Sequence, residues 1–477
     1  MRFTFRGAAL GAVGLVAPLV TPVLVAGQLA LGTADLTDCV VAPASVEALC
    51  GSVRVPEDRS APGGRTLDLS VIVLPARGEA VGDPVFPLHG GPGAAARYLV
   101  PAFASHPLRA SRDFVFVDQR GTGESNPLHC EPDDLGALLE VVLSFKIPSD
   151  VCLDNAADPT LYGTSIAMDD LDQIRAALGY ERINLWGGSY GTRAALEFMR
   201  RHPDRVRTVL LDGLAPPFMY IPLYFPPGAE AALDLVLEDC VADEGCRTRF
   251  PDSRAQLARV LERLDARPAA IEVVDPRNGT PTSLTFGRQD MAAAVLYALY
   301  NSFTAARLPT WIHDAHGGDL GAIANFAVSF SVGIASQFSF GMTMAVACPE
   351  DAARYDLDDA DRVADGSFLG SALALNFLDA CADWPLATIE PGYWAPVASD
   401  LPVLVFSGEG DPVTPPHWAE WALQTLPNAR HAVFPDQGHG ASSTRCGTSL
   451  FRQFVERGTA EGLDLACAAG NRRPPWG

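Results

Sequence analysis

Three side chains suited to nucleophilic acyl chemistry occur in the order Ser189, Asp411, His439, each shortly after a short apolar run. A serine hydroxyl is a weak nucleophile at neutral pH and needs a neutral imidazole to take its proton. The imidazole needs a carboxylate on its other ring nitrogen, which holds one tautomer and stabilises the charge that develops. Ser189 lies in Gly187-Gly188-Ser189-Tyr190-Gly191, the form Gly-x-Ser-x-Gly, between an apolar stretch (Ile183, Leu185, Trp186) and a segment of helical character, Thr192 to Met199. A strand, a tight turn and a helix are the setting in which this pattern projects a reactive hydroxyl. Glycines flank the serine because a Cβ there would meet the neighbouring strand or helix. Asp411 lies in Gly408-Glu409-Gly410-Asp411-Pro412 and His439 in Asp436-Gln437-Gly438-His439-Gly440. Asp436 is a competing acid for the imidazole, but its place in the same loop reads as a turn residue. A developing oxyanion requires backbone N–H donors fixed in advance. Tyr190 N–H is one candidate. The loop His89 to Gly93 supplies the other, with Gly91 expected because glycine lets backbone come close to substrate.

Elements that must position these groups follow from the apolar runs. Val53 to Val55, Leu67 to Leu74, Val85 to Leu88, Phe114 to Val117, Val206 to Leu211, Leu401 to Ser407 and His431 to Phe434 read as strands. Short, continuous apolar runs suit parallel strands buried on both faces. Ile166 to Leu178 has helical spacing, and Leu450 to Val455 reads as a closing helix. The alternation predicts an α/β protein with a doubly wound, mostly parallel sheet, whose ligands sit at the carboxyl ends of strands. After Pro216-Pro217 the strand signal fades. Helices are expected at Arg254 to Leu264 and Gln289 to Tyr300, and a hairpin at Ile271 to Phe286 turning at Asn278-Gly279. The chain therefore divides into a leader (1–34), the first part of the sheet core (35–217), an inserted, mostly helical cap (218–399) and the second part of the core (400–477). The tail, Arg472 to Gly477, is expected to be loose.

The chain has 477 residues and a formal net charge of −22, which argues against nucleic acid or an anionic membrane surface as partner. Arg2 and Arg6 precede an apolar, small-residue run from Gly7 to Leu31. That is the layout of a signal peptide, with candidate cleavage points after Ala26 or Ala34. A retained membrane anchor is the rival, weakened by Pro18, Pro22 and several glycines. Export, periplasmic or extracellular, with cleavage and no stable membrane association afterwards is the expectation. The ten cysteines fit an oxidising compartment. They fall as Cys39 and Cys50, Cys130 and Cys152, Cys240 and Cys246, Cys348 and Cys381, Cys446 and Cys467. Sequential pairing would close short local loops, although sequence alone leaves the connectivity open.

The motifs HGGPG, DQRGTGES, GGSYGT, SGEGDPVTP and GHG together resemble the proline iminopeptidase and tripeptidyl aminopeptidase family of α/β-hydrolase serine exopeptidases. The resemblance runs from about Gly51 to Val455, and the cap matches only loosely. The late Cys348-Pro349-Glu350-Asp351 segment and the cysteine-rich, exported form look closest to the secreted tripeptidyl aminopeptidases. The resemblance implies an α/β-hydrolase fold with Ser189 as nucleophile, Asp411 and His439 completing the triad and Gly91 as oxyanion donor. It also implies a peptide substrate with a free N-terminus and no cofactor. Recognition of an α-ammonium group calls for carboxylates in a partly dehydrated pocket. Glu350 and Asp351 are candidates by their likeness to the family's Cys-x-Glu-Asp segment, and Glu409 by its nearness to Asp411. Phe326, Phe330, Phe338 and Phe340 are equally candidates for an apolar substrate pocket or for ordinary core. His313 and His316 are one turn apart, but no third ligand is evident, so no metal site is expected.

Two rivals remain from sequence alone. An esterase or lactonase could use the same triad, because the triad does not distinguish an ester from an amide. A non-catalytic binding protein of hydrolase ancestry is the other, although such proteins usually lose a triad member.

Overall fold

The computed structural model describes residues 34–61, 63–152 and 157–477. The expected leader lies, apart from Ala34, outside the described residues. In chain order the strands are β1 (Leu36–Val41), β2 (Val46–Pro56), β3 (Thr66–Leu74), β4 (Val85–Leu88), β5 (Phe114–Val117), β6 (Ile183–Gly188), β7 (Val206–Asp212), β8 (Ala269–Val274), β9 (Pro281–Phe286), β10 (Val403–Gly408) and β11 (Ala429–Phe434). A nine-stranded sheet has the order β1-β2-β3-β5-β4-β6-β7-β10-β11, and β8 and β9 form a separate hairpin. The pairings from β1 through β2 and β3 to β5 are antiparallel. From β5 through β4, β6, β7 and β10 to β11 every pairing is parallel.

Side chains alternate between two cores. Val115, Val117, Phe86, Leu88, Val403 and Val405 face the larger one. Val85, Phe114, Phe116, Leu404 and Phe406 face the other, where Leu450, Phe451 and Phe454 of the helix Arg445–Arg457 cover them. Parallel strands covered on both faces have no polar side to show, which is why they read as unbroken apolar runs. Register aligns the carboxyl ends: Leu88 pairs with Gly187, Gly188 with Asp212, and Asp212 with Phe406. The loops that follow therefore open onto one edge of the sheet.

Between β7 and β10 the chain forms mostly helices, including Phe225–Ala242, Ser253–Ala266, Arg288–Leu299, Leu308–Gly317, Gly321–Ala335, Phe340–Glu350 and Ala372–Cys381. Five disulfides join the cysteines in sequential pairs: Cys39–Cys50, Cys130–Cys152, Cys240–Cys246, Cys348–Cys381 and Cys446–Cys467. They fit an oxidising environment. Among the described residues no helix is long and apolar enough to cross a membrane.

Two features differ from the sequence expectations. β1 was not expected; its Leu36 and Val41 are buried but Thr37 and Asp38 are exposed, so no apolar run announces it. The tail is not loose. Arg473 Nη2 binds Asp239 at 2.9 Å and Asp436 at 3.2 Å, and Gly477 N–H donates to Ala306 O at 3.2 Å.

Candidate active site

Ser189 links the end of β6 to the helix Tyr190–Arg201 with φ 56° and ψ −127°. A non-glycine residue held at positive φ stores strain, which the surroundings must enforce. They do so through close packing. A Cβ on Gly187 would lie 2.4 Å from Gly191 O, and one on Gly191 would lie 2.1 Å from Leu88 O. The elbow therefore needs both glycines, and its helix starts against the end of β4. Ser189 N–H donates to Asp212 O at 2.9 Å, which ties the serine to β7.

His439 and Asp411 meet across the loops that follow β10 and β11. His439 Nδ1–H donates to Asp411 Oδ2 at 2.8 Å, since an ionised carboxylate only accepts. Asp411 Oδ1 accepts from Val413 N–H at 3.0 Å and Thr414 N–H at 2.8 Å, and Thr414 Oγ1 donates to Oδ2 at 2.8 Å. Burial opposes ionisation of Asp411, but His439 and these donors outweigh it and hold the carboxyl below its ordinary value. Burial likewise opposes the imidazolium, and the Asp411 charge and hydrogen bond override it, so His439 is raised. The ring is seated edge-on against Tyr300 at 5.0 Å, while His439 N–H donates to Tyr300 O at 2.8 Å. Asp436, the competing acid, instead binds Arg473.

Ser189 and His439 line one cavity of about 340 Å3. Its polar floor, around Ser189 and His439, includes His89, Gly91, Asp212 and Thr414; Gln337 and Thr343 add polar groups to walls that are otherwise mostly apolar, among them Phe145, Met219, Phe225, Tyr297, Phe330, Phe338, Phe340 and Phe377. Of the four phenylalanines nominated from sequence, Phe326 does not line the cavity and packs on Trp311 at 5.2 Å. Gly91 has φ 114°, and a Cβ there would lie 2.7 Å from Gly93 N. Tyr190 is the first residue of its helix, so its N–H has no acceptor within the helix. His89 Nδ1 accepts from Gly90 N–H at 2.7 Å, and burial lowers this imidazole to about 4, leaving it neutral.

Asp212 is a polar group that sequence reasoning missed. It accepts from Ala441 N–H at 2.7 Å and Ser442 N–H at 2.9 Å, just beyond His439. Burial raises it despite these donors. Its only signal in the sequence is an aspartate before glycine at the end of a strand.

The nominated amine-binding carboxylates lie elsewhere. Glu350 and Asp351 are 1% and 0% exposed and do not line the cavity. Glu350 accepts from Thr164 N–H at 2.9 Å and Thr164 Oγ1 at 3.0 Å, and Asp351 holds Arg193 Nη1 at 2.9 Å. Glu409 is exposed and also outside the cavity lining. His313 packs on Phe250 at 5.8 Å and His316 Nε2 accepts from Arg259 Nε–H at 3.1 Å. Among the described residues no three metal-ligating side chains come together.

Comparison with known proteins agrees with this architecture. The α/β-hydrolase-fold family model matches residues 83–445. Serine protease Hip1 of Mycobacterium tuberculosis (strain ATCC 25618 / H37Rv) is 28% identical over 407 residues, covering 77% of this chain and 77% of that protein. The tripeptidyl aminopeptidase of Streptomyces coelicolor is 25% identical over 459 residues, covering 88% and 83%. Carboxylesterase B of the same M. tuberculosis strain is 28% identical over 470 residues, covering 88% and 86%. The chain belongs to the α/β-hydrolase-fold family.

Proposed function

We propose that this family member is an exported serine aminopeptidase that works through an acyl-enzyme. Ser189 Oγ attacks the scissile carbonyl carbon as His439 Nε2 takes its proton. Asp411 holds the imidazole in the required tautomer and stabilises its positive charge. The N–H groups of Gly91 and Tyr190 receive the oxyanion. The peptide C–N bond then breaks, and His439 returns the proton to the leaving amine. Water, deprotonated by His439, attacks the acyl carbon and regenerates Ser189. Atoms balance with water alone, so no cofactor enters.

The observation that carries the reading is the 2.8 Å His439–Asp411 contact with Ser189 and His439 facing one cavity. Hip1 and the tripeptidyl aminopeptidase, by their names, support a peptide substrate. The tripeptidyl aminopeptidase relative supports release of a three-residue fragment from a free N-terminus, and the motif resemblance widens this to one to three residues, with proline preference as one form of it. Residues 218–399 act as the cap over the site. The five disulfides and the basic-then-apolar start support export.

A second reading, an esterase or lactonase, draws on a specific observation. The cavity walls are mostly apolar, and none of Glu350, Asp351 and Glu409 lines them. The carboxylesterase B relative points the same way. The test uses mature protein on a proline amide, a tripeptide amide, the same tripeptide with a blocked amine, and an aryl ester. Cleavage of a free-amine substrate, lost on blocking, is expected. Ester turnover with all peptides untouched would replace the aminopeptidase reading with the second one. Ser189→Ala should abolish every activity, a loss of about 10⁶ in kcat.

A further inference from the structure

Behind the elbow lies a fully buried cluster of charge, Arg193, Glu350 and Asp351, that does not itself line the cavity and takes no part in the proposed reaction. Glu350 and Asp351 end the helix Phe340–Glu350, and Arg193 is one turn beyond Tyr190 on the elbow helix. Arg193 Nη1 binds both Asp351 oxygens, at 3.0 and 2.9 Å, and lies 3.7 Å from Glu350 Oε2; its Nη2 donates to Met219 O at 2.7 Å. Glu350 takes Thr164 N–H on Oε1 and both Thr164 Oγ1 and the Tyr393 hydroxyl on Oε2. Trp394 Nε1–H donates to Glu350 O at 2.9 Å.

The order of protons in this cluster is determined by its chemistry. An ionised carboxylate only accepts, so Thr164 spends its single hydroxyl proton on Glu350. Thr164 Oγ1 and Tyr190 Oη are 2.7 Å apart, so in that state Tyr190 must donate to Thr164. Tyr190 O–H to Thr164 O–H to Glu350 is thus a one-way chain. It ends on a carboxylate and begins on the residue whose backbone N–H adjoins Ser189. Arg193 and Asp351 hold the next turn of the same helix.

We propose that Glu350 is a positioning residue: through Thr164 and the Tyr190 side chain it sets the Tyr190 N–H for the oxyanion, and it does not bind the substrate amine. This rests on the Ser189–Asp411–His439 reading but not on whether the substrate is a peptide or an ester. The groups facing Glu350 are Arg193, Asp351, Tyr190 and Tyr393, with Arg354 beyond Asp351. Two carboxylates share the Arg193 guanidinium. Burial, with Asp351 adding to it, raises Glu350 to about 7 against the pull of Arg193 and its hydrogen bonds. Below that pH a protonated Glu350 releases the fixed direction of the chain.

The test is the rate at which a small fluorophosphonate labels Ser189, measured from pH 5.5 to 9 in wild type, Glu350→Gln, Tyr190→Phe and the double variant. The probe has no amine, so an amine-binding role would leave its rate unchanged. A wholly lost oxyanion donor costs about 10²–10³, so a misplaced one should cost about tenfold in Glu350→Gln. Tyr190→Phe, which keeps the ring, should lose a smaller part of this, and the double variant should be no slower than Glu350→Gln, because the two share one path. The wild type should lose labelling with falling pH through two ionisations, that of Glu350 at about 7 and that of His439, and Glu350→Gln through His439 alone. Labelling at the wild-type rate in both single variants, or losses that multiply in the double variant, would overturn the proposal. Absence of labelling in wild type would instead overturn the triad.

Discussion

The cavity in front of Ser189 and the charge cluster behind Tyr190 are one helical turn apart and opposite in chemistry. The cavity is open and walled mostly by aromatic side chains, with a few polar groups, Gln337 and Thr343 among them, besides those at the floor around Ser189 and His439. The cluster is filled, and each of its carboxylates is engaged by several donors. Apolar walls exclude water and strengthen the electrostatics of the few polar groups at the floor. In the proposed reaction they would hold substrate by shape. The carboxylates of the cluster have little to gain from a ligand, because their acceptor oxygens are already engaged and their partners are fixed in place. The two regions should therefore fail differently. Damage to the floor should abolish chemistry, damage to the cluster should cost stability and alignment, and damage to the walls should change only which substrate is preferred.

The largest effect is expected at the floor. Asp411→Asn keeps the shape of the side chain but loses the carboxylate that fixes the His439 tautomer, so kcat should fall about 10⁴-fold. The pH profile checks the sign. His439 is raised in the native protein, so the wild-type rate should fall as pH drops through a point above the ordinary imidazole value of about 6.5. In Asp411→Asn the residual rate should have its acid limb at lower pH, since the charge that raised His439 is gone. An unmoved limb would mean that another group supplies it.

Next comes the cluster. Asp351→Asn leaves the Arg193 guanidinium, itself fully buried, with only the more distant Glu350 as counter-charge. Breaking a buried pair typically costs about 3–5 kcal/mol, and the remaining partner places this case at the low end. A fall in Tm of about 5 °C is expected, with KM for any cleaved substrate unchanged. Arg193→Met combined with Asp351→Leu removes both charges and should be less damaging than Asp351→Asn alone. A rise in KM confined to free-amine substrates would return these carboxylates to the substrate and erase the contrast between the two regions.

Legibility from sequence followed the same division. The central strands and the elbow were readable because their residues are buried on both sides, so neighbours in sequence already carry the signal: Phe114 to Val117 and Val403 to Phe406 are buried throughout. The residues of the proposed triad could be nominated because Ser189 and Asp411 follow such runs, and His439 follows the shorter, half-exposed strand Ala429–Phe434. Which side of the elbow helix a carboxylate occupies was not readable. Glu350 and Asp351 are far from Ser189 in sequence, and only the path of the helix Phe340–Glu350 decides that they approach Arg193 rather than the cavity. Asp212 escaped notice because its partners are backbone amides of Ala441 and Ser442, which no residue type advertises. The tail looked loose because it lacks periodicity, yet the Arg473 side chain is 7% exposed and held between Asp239 and Asp436. Its anchors lie 234 and 37 residues away.

The smallest effect is expected at the cavity wall, and it is the most informative about substrate. Phe145 and Phe377 meet edge-to-face at 5.8 Å and bring two separate elements, the end of helix Leu135–Ser144 and helix Ala372–Cys381, against the cavity. Phe377→Leu trims this wall without adding charge. A change of one or two methylene equivalents in an apolar pocket shifts selectivity by about 1–3 kcal/mol at most. The ratio of kcat/KM for a longer over a shorter apolar acyl group should therefore rise by about tenfold, measured on an ester ladder or on amides of leucine and alanine. Labelling of Ser189 by a small fluorophosphonate should keep its wild-type rate and pH dependence, because the floor and the cluster are untouched. If the variant instead slowed all substrates equally, the wall would be acting on the catalytic groups, and the separation of shape from chemistry in this site would not hold.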